Sequence, residues 1–93
     1  MKHWDITVKG KVQGVYFRLT TKAVADQLGV KGFVTNQADG SVYIEAEGDD
    51  FALDSLLEYC GEGPDRAEVE DVLCEERTEL KGFKNFEVLK RPK

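Results

Sequence analysis

The spacing of apolar residues in this chain switches from a period of two to a period near 3.6 and back, twice within 93 residues. Trp4, Ile6 and Val8 alternate with Asp5, Thr7 and Lys9, which predicts a half-buried strand ending near Gly10. From Phe17 the period becomes helical through Thr21, Val24, Ala25 and Leu28, and Gly29 stands where a C-terminal cap is expected. A second strand is predicted from Val30 to Thr35. The turn-rich NQADGS then leads into SVYIEAE, with Val42, Ile44 and Ala46 on one face and Asp39-Gly40 as the hairpin signal. DDFALDSLLEYCG places Leu53, Leu56, Leu57 and Cys60 on one helical face, with acids in the first turn and Gly61 at the end. In AEVEDVLCEE the alternation of Ala67 and Val69 resumes out of phase at Val72 and Cys74, so the slip at Glu70-Asp71 predicts a bulge or a strand edge. Phe86 and Val88 mark a short last strand before the charged tail KRPK.

The resulting order, β-α-β-β-α-β plus a terminal strand, is the split βαβ arrangement of α+β, ferredoxin-like folds, with a mixed antiparallel sheet and both helices on one face. Residues 1–93 are read as one domain without repeats or linkers. A core this small buries only about 60–65% of its unfolded chain's surface, which leaves little room for a large pocket.

Charge and cysteine content narrow the function. Thirteen basic and eighteen acidic residues give a net charge of −5, against a general nucleic-acid or anionic-membrane surface. No apolar run reaches the roughly 20 residues of a membrane span, and the N-terminus lacks a secretory block, so a cytoplasmic protein is expected. Cys60 and Cys74 have no metal-ligand spacing and His3 is the only histidine, so no zinc set is expected. Both cysteines are read as reduced, buried apolar residues. The charge is uneven: residues 1–45 carry six Lys/Arg and four Asp/Glu, the remainder seven and fourteen. The basic half holds GKVQGVYFR, Gly10 to Arg18, a glycine-bracketed loop that hands a strand to a helix. Helix starts leave backbone N–H groups unpaired, Gly14 can turn successive N–H groups inward, and Arg18 can add a planar fork of donors to a bound anion. Gly10 would let the chain leave the strand. The same residues also fit a tight turn followed by a solvated arginine. There is no GxxxxGK[ST] or GxGxxG, so nucleotide binding is unsupported. In GFVTNQADGSV, Asn36 suits either a turn or a water-holding amide.

GKVQGVYFR and GFVTNQADGSV, with this separation and element order, resemble the two signature segments of the acylphosphatase family. GPDRAEVEDV and the terminal F-x-V are similar to later segments of that family, so the resemblance covers residues 3–91. It implies a small enzyme that hydrolyses the carboxyl-phosphate bond of acyl phosphates, without metal or cofactor. Arg18 matches the family's phosphate-binding arginine and Asn36 the asparagine that orients the attacking water. The backbone of Gln13, Gly14, Val15, Tyr16, Phe17 and Arg18 matches its phosphate cradle. Tyr16 falls at a variable position, and Thr35 stands where a basic residue is common. The implied partners are a small-molecule acyl phosphate, and inorganic phosphate as product and inhibitor, for a protein acting as a monomer.

So sparse a site suits the chemistry, because phosphoryl transfer depends mainly on positioning and charge stabilisation, and a carboxylate leaves without a general acid. Asp39 is explained by its turn. The acids Glu68, Glu70, Asp71, Glu75 and Glu76 lack the DxDxDG calcium pattern and read as a solvated face. Two rival readings use the same fold. Lys31-Gly32-Phe33-Val34 echoes an RNA-recognition motif but lacks its further aromatic pair. A non-catalytic module that binds acyl or carbamoyl phosphate for a larger enzyme is the other, against which stands the presence of both Arg18 and Asn36.

Overall fold

In a computed structural model, which describes residues 1–89, the predicted alternation becomes a five-stranded sheet. Its elements are β1 (Lys2–Lys11), α1 (Phe17–Leu28), β2 (Lys31–Asn36), β3 (Val42–Gly48), α2 (Asp50–Glu62), β4 (Glu68–Arg77) and β5 (Phe86–Leu89). The KRPK tail lies outside the described residues. The strand order is β4-β1-β3-β2-β5, antiparallel throughout except where β5 runs parallel to β2. This is the ferredoxin-like α+β arrangement.

Register sorts the side chains into two faces. Ile6 lies opposite Ile44 and Val8 opposite Val42, all fully buried, and Val34 joins Ile44 from β2. The helices close over this face with Phe17, Thr21 and Ala25 of α1 and Ala52, Leu53, Leu56 and Cys60 of α2. Gly29 caps α1 through its N–H to the Ala25 and Asp26 carbonyls, and the Asp49 side chain caps α2 by accepting from Ala52 N at 2.8 Å. The second helix does not stop at Gly61. It continues to Glu62 because Gly63, at φ 70°, makes the closing bond to Tyr59 O.

The slip at Glu70-Asp71 is a register shift in the folded strand: Lys9 pairs with Asp71 and Gly10 with Val69, leaving Glu70 as the extra residue. Gly10 therefore does not release the chain from β1, which continues to Lys11. It lies across from the bulge, where a Cβ would come 2.2 Å from Glu68 O and 2.8 Å from Glu70 N. Both cysteines are free, but only Cys60 is buried, and burial pushes its thiol up to about 12. Cys74 is exposed, because β4 is an edge strand with most of its residues in solvent.

The opposite face of the sheet holds the least expected feature. His3, Asp5, Glu45 and Glu47 alternate outward from the helices, yet all four are buried. The segment 78–83 folds over them: Phe83 packs edge-on to Phe33 and tilted against His3, with centroids 5.9 Å apart in both pairs. Glu47 accepts from the backbone N–H groups of Lys81, Gly82 and Phe83, and lies 2.9 Å from His3 Nδ1. His3 Nε2 is 3.0 Å from Asp5, while Arg77 pairs with Asp5 and Lys81 with Glu45 at 2.7 Å. Ligand-type atoms of His3, Asp5 and Glu45 come within 4.8 Å of one another, a grouping that linear spacing does not reveal. The two basic side chains already meet the carboxylate charge there.

Two consequences are measurable. Gly10→Ala forces the bulge apart and lowers the unfolding free energy by about 2–3 kcal/mol, read from urea unfolding. Burial pushes the Glu47 carboxyl up, but the three backbone donors and His3 outweigh it, so it titrates below its ordinary value of 4.5. Its stabilisation is therefore full above that value and is lost as pH falls through the lower folded-state value. Glu47→Gln should destabilise by about 1–3 kcal/mol at pH 7, with the gap to wild type narrowing below pH 4. A gap that stays constant with pH would mean that the carboxylate charge contributes nothing.

Candidate active site

The helix face of β2 ends on Asn36, and the chain from β1 enters α1 through residues 12–16, beside that end. Val12 and Val15 are buried and anchor this loop from below, as does Phe17 at the start of α1. Gly14 takes φ 72°, and Tyr16, the N-cap, takes φ 64° and ψ 16°. A left-handed backbone costs a residue with a Cβ roughly 1–2 kcal/mol, so the loop's path at Tyr16 is imposed by its anchors. No side chain caps α1, and its first turn holds no acid. The donors of the helix start are left to whatever occupies the adjoining cleft.

That cleft measures about 400 Å³ and is bordered by Gly14, Tyr16, Arg18, Leu19, Asn36 and Val88, among others. The structure thus brings together Arg18 and Asn36, which stand on two successive elements, near the start of α1 and at the end of β2. Arg18 is the one charged side chain among the described residues lining it. Its Nη1 donates to Leu89 O of β5 at 3.0 Å, which orients the guanidinium and leaves its other donors for the cleft. Asn36 Oδ1 is buried and accepts no hydrogen bond from the described residues. An acceptor left in this state is costly unless a donor from solvent or substrate reaches it.

Gln13 has a role that its sequence context did not signal. Its Nε2 donates to Gln37 O at 2.8 Å and Ser41 O at 2.9 Å, tying the loop to the β2–β3 turn directly beyond Asn36. The only hint in the sequence was a long amide donor in a loop that topology places beside that turn. Asp39 accepts from Ser41 N at 2.9 Å and from Ser41 Oγ, bonds that hold its carboxyl below the usual range and account for it within the turn. Thr35 is buried on the opposite face of β2 from Asn36. The acids Glu68, Glu70, Asp71, Glu75 and Glu76 are all exposed.

Fold and cleft define an α+β sandwich with a single-cation, backbone-lined cleft at one end, a form suited to one small anion. Comparison with known proteins places it more closely. The acylphosphatase family model matches residues 4–88. An acylphosphatase of Thermotoga petrophila is 49% identical over 88 residues, 95% of this chain and 97% of that protein. The crystal structure of acylphosphatase from Bacillus subtilis superposes with a TM-score of 0.93 at 37% identity, covering 96% of this chain and 99% of that one. Full-length HypF in its phosphate- and nucleotide-bound form contains a similar region, with TM-score 0.84 and 26% identity, over 95% of this chain but 12% of HypF. The chain belongs to the acylphosphatase family, hydrolases of the carboxyl-phosphate bond.

Gln13→Leu removes both bridges between the loop and the turn. It should lower stability by about 1–2 kcal/mol and speed hydrogen exchange at the Gly40 and Ser41 amides. Unchanged exchange there would show that the turn holds itself.

Proposed function

We propose that this chain is an acylphosphatase in which the backbone N–H groups of residues 13–18 and the Arg18 guanidinium hold the phosphoryl group, and Asn36 orients the attacking water. The observation that carries this reading is the buried Oδ1 of Asn36, an acceptor that no donor among the described residues reaches, in the same cleft as Arg18. A water that donates one O–H to Asn36 Oδ1 keeps a lone pair directed at phosphorus. As its oxygen bonds to phosphorus, the bond to the acyl oxygen breaks and the electron pair leaves on the carboxylate. A phosphoryl oxygen of the substrate accepts the water's proton, so the products are a carboxylate and inorganic phosphate.

Arg18 and the loop donors stabilise negative charge spread over the equatorial oxygens, where such interactions act most strongly. The leaving group is a weak base, so no protein acid is required, and none is assigned. His3 lies on the other face of the sheet, outside this cleft. The proposal includes one domain, a monomer in the cytoplasm, no nucleic-acid partner, no metal or cofactor, and inorganic phosphate as a competitive product inhibitor. No helix among the described residues is long and apolar enough to cross a membrane.

The test is hydrolysis of benzoyl phosphate followed by absorbance, with EDTA and with added inorganic phosphate. Wild type should turn over in EDTA and be inhibited competitively by phosphate. Asn36→Ala should lose about 10²–10³ in rate, and Arg18→Ala at least as much, with both variants folded. The HypF likeness gives the accessory reading an observation of its own. A folded wild type that binds phosphate without turnover would establish that reading instead.

A further inference from the structure

The cleft is larger than one phosphoryl group needs, and its outer wall is apolar. Its volume of about 400 Å³ falls within the ~300–1,000 Å³ of small-molecule sites. Tyr16 is 68% exposed and Leu19 59% exposed, and both line this cleft together with Val88. Among the described residues they are two of the six large hydrophobic side chains standing most open to solvent, and the other four, Met1, Phe51, Leu73 and Leu80, border no part of it. The placement follows from the fold. Tyr16 is the left-handed N-cap, so its side chain leaves the loop beside the donors of the helix start, and Leu19 follows within the first turn of α1. Neither a carboxylate nor a second cation joins Arg18 among the described lining residues, so a charged acyl group would find no counter-ion there.

We propose that Tyr16 and Leu19, backed by Val88, form the acyl-group subsite and make this enzyme selective for acyl phosphates with extended apolar or aromatic acyl groups. The inference rests on the phosphoryl site described above, since the subsite acts on the portion of substrate that projects from it. With the phosphate held at the helix start, the acyl carbon must project out of the cleft, past these side chains. Each methylene that leaves water against them adds binding, while acetyl phosphate is too short to reach.

Straight-chain acetyl, butanoyl and hexanoyl phosphates share nearly the same leaving-group basicity, so their kcat/KM values report acyl contacts with little change in chemistry. For wild type, kcat/KM should rise about tenfold from acetyl to hexanoyl. Tyr16→Ser and Leu19→Ser should each flatten that rise severalfold, while Phe51→Ser, a remote exposed position, should preserve it. Inhibition by inorganic phosphate should stay close to wild type in Leu19→Ser, because that side chain takes no part in the cradle. A flat series in wild type, or an unchanged slope in both cleft variants, would overturn the inference while leaving the phosphoryl site intact. Failure of folded wild type to hydrolyse any of the three would instead overturn the catalytic reading on which it rests.

Discussion

The pairing of Ile6 with Ile44 at the centre of the sheet fixes everything built around it. A slip of one residue in that pairing would turn every side chain of one strand to the other face. Here the two faces are chemically opposite. Ile6, Val8, Val42 and Ile44 lie under the helices, whereas His3, Asp5, Glu45 and Glu47 lie under the 78–83 segment. Slippage would bury carboxylates among leucines and expose isoleucines to a cluster of charges. The register is therefore specified from both sides, more firmly than a sheet with one solvated face would be.

From that register the site follows by short steps. Asn36 ends β2 on the same face as Val34 because strand side chains alternate, and α1 starts beside it because β1 is one strand removed from β2. Gln13 then spans the remaining gap between loop and turn. The two halves of the site belong to separate elements but are held together by hydrogen bonds that use side-chain donors and backbone acceptors. Packing below the loop, through Val12, Val15 and Phe17, holds Tyr16 in its left-handed conformation. The backbone path of the loop is consequently set by packing within the chain.

Periodicity made the element order, the Gly29 cap, the hairpin and the bulge legible, because each has a local cause. Gly61 misled because two glycines stand near the end of α2, and only the folded chain decides which takes the positive φ. Cys74 misled because alternation identifies a face without revealing that the strand carrying it lies at an edge. The ionic face was hidden for a related reason: Asp5, Glu45 and Glu47 occupy positions that read as solvent-facing, and the segment covering them has no period. Arg18 could be singled out from its place at a helix start. Its meeting with Asn36 required topology, and the Gln13 bridges required coordinates.

The hydrogen bond from Arg18 to Leu89 has a bearing on how the protein is made. Ribosomal synthesis delivers both signature segments by residue 42, well before β5 emerges. Until β5 has been added alongside β2, the guanidinium lacks the carbonyl that aims it, although every residue of both motifs already exists. Both motifs are thus complete in sequence before the strand that supplies this carbonyl has been made. The orientation of that guanidinium is in this sense tied to the closing of the whole sheet.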